Sequence, residues 1–528
     1  MISVRNNQRG PTRLWGQFLR RGLAGLMVMA LVLLGAAPPL LALTEATAAP
    51  GSIQPYLDRA IANVTEFRLK NGMKFIVMER HEAPVVSFVT YANVGGADEP
   101  VGQTGVAHFL EHLAFKGSSN LGTKDIEAER RIYAQMDALG EQMQAARDRG
   151  DRAEADRLKQ ELLALEAQAQ PYIRQNEFGQ IVEREGGVGL NAATSADATM
   201  YFYSFPSNKV ELWMSLESER FLDPVFREFY KEQDVILEER RMRTDNSPIG
   251  TMVEAFLDAA YEVHPYRRPV IGYNEDIRNL TRENVRDFFD GYYGPANLTV
   301  AIAGDVDPKE VKRLAEIYFG RFVPRPQPPN EIVPEPPQTA QREVTVRLDS
   351  QPWYLEGYHA PAKADPDYVV YEAIASILSG GRTSRLYRRL VEEEQIALNA
   401  SSFYGFPGDR FPTMMLFYAL TAPGHSVEEI AASLHEELER LKTEPVDAAE
   451  LERVKTQARA SKLQLLDSNA GLADLLAEYE VKTGDWRNLF EAIDRTAAIT
   501  PADIQRVARK TLRPENRTVG RLLPKDAA

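Results

Sequence analysis

The sequence predicts an α+β fold built as two α/β-sandwich halves of similar plan, with a helical hairpin inserted into the first. Three observations predict it. Short alternating or continuously apolar runs give way to longer stretches of helical period, in the same strand-then-helix order in both halves of the chain. A proline-dense seam, Pro324-Arg325-Pro326-Gln327-Pro328-Pro329 continuing to Pro336-Pro337, lies between those halves and reads as a stiff, extended linker. A stretch dense in Glu, Arg, Ala, Gln and Leu, Lys124 to Gln170, interrupts the first half. At 528 residues the chain exceeds what one hydrophobic core usually organises, in keeping with two domains.

The first 49 residues differ in kind from the rest. Arg5, Arg9, Arg13, Arg20 and Arg21 precede any acidic residue, Gly22 to Ala37 is apolar and uncharged, and Ala46-Thr47-Ala48 offers a small-x-small cleavage site. Residues 1–48 are therefore read as an export signal or membrane anchor, with Arg20-Arg21 raising the twin-arginine route beside the general secretory one. The protein is expected to be exported, to the bacterial periplasm or an equivalent compartment, and to be held at the inner membrane only if this segment stays uncleaved.

From Val64 the pattern alternates through Phe67 and Leu69 to Asn71-Gly72, then Phe75 and Val77, a strand pair with a turn. A β-rich run, Val85 to Val94, leads through Gly95-Gly96 into a helix around Val106 to Lys116, with Gly117 as its stop. Ile132, Met136, Leu139 and Met143, then Leu158, Leu162 and Leu165 beyond Arg149-Gly150-Asp151, repeat at helical spacing, so residues 124–170 form the hairpin. It is either a solvated excursion or a lid or partner-docking arm. Gly186 to Phe205 returns to strand-like sequence, Val210 to Phe221 and Phe229 to Arg243 read as helices, and Leu298 to Ala303 is an apolar strand. These elements make a first domain of residues 49–323. After the linker at 324–340, a second domain at 341–528 runs through strands at Val344 to Leu348 and Trp353 to Tyr358, helices at Tyr368 to Leu378 and Ser384 to Glu393, a strand at Thr413 to Thr421, then helices to the end.

The net charge of −14 argues against nucleic-acid binding, which needs a basic face to displace counterions. The chain has no cysteine, so a metal could be held only by His, Asp or Glu. The residues that fit lie in His108-Phe109-Leu110-Glu111-His112. On a helix, positions i and i+4 stand about 40° apart, which lets two imidazoles meet one metal ion. Glu111, one residue before the second histidine, would reach a metal-bound water and take its proton. A third protein ligand must come from elsewhere.

The sequence resembles the pitrilysin family of inverted-motif zinc metallopeptidases, and within it the half-length members similar to mitochondrial processing peptidase subunits and their bacterial homologues. The resemblance rests on Gly95 to Pro100, Gly105 to His112 with Phe115-Lys116-Gly117, Asn191-Ala192-Ala193-Thr194-Ser195 with Thr199 and Tyr201, Glu232 to Arg240, and Ser379-Gly380-Gly381 with Ser384 to Tyr387. It implies two homologous domains of the processing-peptidase type, the second an inactive one. It also implies one zinc ion per chain held by His108, His112 and Glu239, with Glu111 activating the water and Glu232 supporting the site. The seven-residue spacing of Glu232 and Glu239 places both on one helix face; Glu238 competes for the ligand role. Asn191, Ala192, Ala193 and Thr194 match the strand that pairs with substrate backbone, as strand addition requires.

The implied activity is a zinc-dependent endopeptidase acting on peptides or small unfolded polypeptides; the alternative is a non-catalytic structural or peptide-binding member of the same fold. In one respect the pattern breaks. The family's Arg and Tyr, seven residues apart in the second domain, fall at Val391 and Leu398, with Arg388, Arg389 and Tyr404 out of register. A related subunit supplying that pair, in a heterodimer, is therefore expected, with a homodimer as the other arrangement.

Overall fold

The computed structural model describes residues 60–326, 328 and 332–525, so the proposed export segment lies outside the described residues. Among those described, no helix is long and apolar enough to cross a membrane.

The first half begins with β1 (Val64–Arg68), β2 (Lys74–Glu79) and β3 (Val85–Ala92), followed by α1 (Val106–Leu113). The hairpin helices are α2 (Ile126–Asp148) and α3 (Arg152–Ala169), and α4 (Glu177–Arg184) leads into β4 (Val188–Thr194) and β5 (Thr199–Pro206). Then come α5 (Val210–Leu222), α6 (Phe229–Arg240), α7 (Pro248–Ala260), α8 (Asn274–Asn279) and α9 (Arg282–Tyr292), with β6 (Leu298–Gly304) and α10 (Pro308–Tyr318) closing the half. Its sheet has the order β1-β2-β6-β3-β5-β4. Central β6 is buried along its whole length and β3 nearly so, as expected of strands covered on both faces, whereas β5 alternates buried and half-buried positions.

The second half comprises β7 (Arg342–Arg347), β8 (Trp353–Ala360), α11 (Tyr368–Ser379), β9 (Ala397–Phe406), β10 (Thr413–Thr421), α12 (Val427–Thr443), α13 (Ala448–Asp467), α14 (Asn469–Thr483), α15 (Asn488–Ala498), α16 (Pro501–Thr511) and β11 (Arg517–Leu523). Its sheet order, β7-β11-β8-β10-β9, repeats β2-β6-β3-β5-β4 strand for strand. The strand directions repeat too: β7 runs parallel to β11 as β2 does to β6, and the remaining pairs in both sheets are antiparallel. The duplicated plan expected from the sequence is present.

Each half also lends a helix to the other. α7 lies on β7 and β11 of the second sheet, while α14 lies on β3 and β6 of the first. Met252 and Phe256 of α7 join Leu355, Met414 and Leu522 in one buried cluster. Gly520 and Gly357 make room for this packing, since a Cβ would come within 2.4 Å of Met252 at Gly520 and within 2.9 Å of Phe256 at either position. A polar seam runs alongside: Arg410 pairs with both oxygens of Asp98 at 2.7 and 2.8 Å, and the buried Asp197 carboxylate accepts the Asp409 and Arg410 N–H groups and the Tyr266 hydroxyl.

Two expectations need correction. The second half does not run in helices to its end: the chain closes on β11, whose Arg-Thr-Val-Gly-Arg-Leu-Leu sequence is too short and charged to stand out but is completed by β7 and β8 on either side. The helix expected over Phe229 to Arg243 stops at Arg240 and gives way to a π-helical turn, Arg241–Asp245.

Candidate functional site

Helix α1 is fixed before its side chains do anything. Gly105 turns the chain into it at φ 89°, pressed so closely on Ile271 that a Cβ would lie 2.7 Å from that residue's carbonyl oxygen. The Glu99 carboxylate accepts the Gly105 and Ala107 N–H groups, both at 3.0 Å, satisfying donors that a helix start leaves open. Burial pushes Glu99 up to about 8, against the pull of those two donors. Val106, Ala107, Phe109, Leu110 and Leu113 are buried in the core, which leaves His108, Glu111 and His112 to face the opening between α1, α6 and β4.

Helix α6 presents the facing side chains. It packs on α1 through Phe229, whose ring centroid stands 4.7 Å from that of Phe109, and Ile236, two turns further along the same face, is fully buried. Gln233 anchors its outer side by donating to the Ile277 carbonyl at 2.8 Å. Glu232 and Glu239 therefore project together toward α1, as their spacing predicted.

The ligand-capable atoms of His108, His112 and Glu239 lie within 4.8 Å of one another, the only such group among the described residues. His108 Nε2 is 3.8 Å from Glu239 Oε1 and His112 Nε2 is 3.7 Å from Glu239 Oε2. A tetrahedral zinc ion with bonds of about 2.0–2.1 Å holds its ligand atoms about 3.4 Å apart, so two imidazoles and a carboxylate at these distances fit it in both chemistry and span. His108 Nδ1 is buried without a hydrogen-bond partner, whereas His112 Nδ1 meets Glu232 Oε2 at 3.3 Å. Glu238 is placed elsewhere: half exposed, it pairs with Arg241 at 2.6 Å.

The surroundings set the charge states. Burial pulls His108 well below the ordinary imidazole range, helped by the neighbouring His112 and Arg243. Burial would do the same to His112, but the Glu232 hydrogen bond and the Glu239 and Glu111 carboxylates outweigh it and raise that imidazole. Burial raises the Glu111 carboxyl, opposed by the Thr194 hydroxyl, which donates to Oε2 at 2.6 Å. Glu232 moves the other way: burial would raise it, yet hydrogen bonds from His112 and Lys116 hold it low.

Strand β4 is an edge, hydrogen-bonded to β5 alone, with Asn191 and Ala193 exposed, Ala192 buried and Thr194 half-buried. Asn191 Oδ1 is engaged locally by the Ala192 N–H at 3.0 Å. Beside Glu111 and His112 opens a cavity of about 410 Å³, walled by Phe115 and Lys116 and rimmed by Gln175, Asn176 and Lys231.

Sequence reasoning missed the roles of three residues. Thr194, placed with the substrate strand, bonds to Glu111. Lys116 bridges Glu232 at 2.6 Å and Glu228 at 2.9 Å, and Arg243 pairs with Glu239 at 2.6 Å. The out-of-register residues of the second half are committed elsewhere: Arg388 to Glu393, Arg389 to Glu394, Glu436 and Glu437, and the Tyr404 hydroxyl to the Pro361 carbonyl at 2.6 Å. Val391 is half-buried and Leu398 is 50% exposed on the outer edge of the second sheet.

A family model described as insulinase (peptidase family M16) matches residues 74–152 and 167–273, and one described as the peptidase M16 inactive domain matches residues 279–458. The stretch unmatched at 153–166 falls inside α3, on the inserted hairpin. The chain is 29% identical over 463 residues to the zinc protease PqqE of Helicobacter pylori, covering 86% of this chain and 92% of that protein. It is 24% identical over 479 residues to the probable mitochondrial-processing peptidase subunit beta of Schizosaccharomyces pombe, covering 87% and 91%. The crystal structure of a protease from Helicobacter pylori matches with a TM-score of 0.74 at 28% identity, over 87% of this chain and 99% of that one. The matched models, these relatives and the shared two-sheet architecture place the chain in peptidase family M16.

Proposed function

We propose that this chain is a zinc endopeptidase that hydrolyses extended peptides or small unfolded polypeptides. The observation that carries the reading is the convergence of His108, His112 and Glu239 within 4.8 Å, with the Glu111 carboxylate beside them and tied to the end of an open-edged strand. His108, His112 and Glu239 hold one zinc ion, which when bound polarises the scissile carbonyl and lowers the pKa of a water. Glu111, its carboxyl raised by burial, accepts the proton of the attacking water and returns it to the leaving amine. Thr194 holds Glu111 in place, and Glu232, steadied by Lys116, orients His112. Asn191, Ala192, Ala193 and Thr194 receive the substrate backbone as an added strand, leaving a side chain next to the scissile bond to enter the cavity at Phe115.

In this reading residues 1–48 direct export, 49–323 form the zinc-bearing domain, 324–340 the linker and 341–528 the second domain. Val391 and Leu398 stand where the family resemblance puts an Arg and a Tyr, and Arg389 and Tyr404 are engaged elsewhere, which favours a related partner subunit that supplies the pair. Hydrolysis of an unstructured peptide, assayed with the chain alone and with candidate partners, tests both parts. Turnover should be abolished by a chelator and restored by zinc; chelator-resistant turnover removes the zinc reading, and full turnover by the chain alone removes the partner.

A further inference from the structure

The three ligand side chains are not equally secured. His108 is buried where it faces the site and His112 meets Glu232, whereas Glu239 stands in the last turn of α6, and the terminal torsion of a carboxylate is broad. What meets it there is Arg243. The π-helical turn Arg241–Asp245 carries the helix on past Arg240 and brings the Arg243 guanidinium 2.6 Å from Glu239 Oε1. Glu239 and Arg243 are four residues apart, a spacing that keeps both on one helix face. The neighbouring arginines go elsewhere. Arg240 is buried against Glu254 and the Gly272 carbonyl, and Arg241 turns outward to Glu238. Arg243 is 41% exposed and has no other hydrogen-bond or ion-pair partner among the described residues.

The geometry points to Arg243 as a positioning residue of the metal centre: its guanidinium on Oε1 fixes the Glu239 carboxylate so that it meets zinc in one orientation. This rests on Glu239 being a zinc ligand. Arg243 holds a carboxylate ligand as Glu232 holds an imidazole one, so each of these two ligands has a charged partner from α6 or the turn that follows it. Partners of this kind typically set metal affinity by about 10–100-fold.

The test is zinc affinity of the full chain, measured by competition with a chromophoric chelator for the wild type, R243Q, R243K, R241Q and E239A. R243Q should bind zinc about 10–100-fold more weakly, R243K should recover part of the loss by keeping a cation on Oε1, and R241Q should match the wild type. The zinc-free R243Q and wild-type proteins should melt together, which separates orientation of a ligand from support of the fold. R243Q with wild-type affinity, an equal loss in R241Q, or a lowered melting point of zinc-free R243Q overturns the role of Arg243. A wild-type chain that binds no zinc, or E239A that binds it unchanged, overturns the ligand assignment itself.

Discussion

Glu111 sits between two opposed influences, burial that favours its neutral form and a Thr194 hydroxyl that favours its charged one. A general base needs that balance, charged enough to take a proton and basic enough to hold it. Glu111→Gln should keep zinc and lower kcat by about 10²–10⁴-fold in a peptide assay. Thr194→Val keeps the shape but leaves Oε2 unheld, so kcat should fall about tenfold with KM little changed, the effect of losing one hydrogen bond to a charged group. His108 and His112 were legible from their spacing along a helix, whereas Glu232 and Glu239 came from the family resemblance, with their seven-residue spacing placing both on one helix face. Thr194 and Arg243 were not legible. Thr194 reaches Glu111 across 83 residues of chain, a contact made only when β4 lies against α1, and Arg243, four residues beyond Glu239, is one of several charged side chains along that helix with nothing in the sequence to single it out.

Among the elements, the inserted hairpin is bound into the body rather than standing apart from it. Met136 and Met143 of α2 and Leu158 and Leu162 of α3 belong to the same buried cluster as Phe109 and Leu113 of α1. Its root is a buried ion pair, Glu129 of α2 with Arg227 at 2.7 Å, and Arg227 also donates to the Lys116, Ser118 and Leu121 carbonyls in the loop after α1. Arg227→Met strands a buried carboxylate and opens three carbonyls, so it should cost about 3–5 kcal/mol in denaturant unfolding and expose that loop to protease. The helical period of the hairpin was plain in the sequence. Strands β9 and β11 were not, because Ala397–Phe406 is rich in small and polar residues and Arg517–Leu523 is short, with two arginines, a threonine and a glycine among its seven residues; their neighbours in the sheet supply what their own pattern lacks.

Across the whole molecule, a repeated strand order is joined by exchanged helices, α7 on the second sheet and α14 on the first. The repeat showed in the order of predicted elements, but the exchange did not, since nothing in an amphipathic helix names the sheet it will cover. At the outer end of the first sheet the halves are also tied by charge. Glu66 of β1 accepts from Arg487 at 2.9 Å and pairs with Lys74 at 2.8 Å, and Lys74 reaches Glu480 of α14 at 2.6 Å. Burial would raise Glu66, but Lys74 and Arg487 hold it at about 2, below its ordinary 4.5. A carboxylate held low in the folded state stabilises it above the ordinary value and loses that contribution as pH falls toward the depressed one. Glu66→Gln should therefore unfold more easily than the wild type at pH 7, with the difference closing as the pH drops from about 4.5 toward 2. The central claim, that one metal ion is held between α1 and α6 with Glu111 beside it and not among its ligands, is tested most directly by elemental analysis of the purified chain. It predicts one zinc per chain in the wild type and in Glu111→Gln, and none in His108→Ala or Glu239→Ala; zinc retained by either alanine variant, or absent from the wild type, would contradict it.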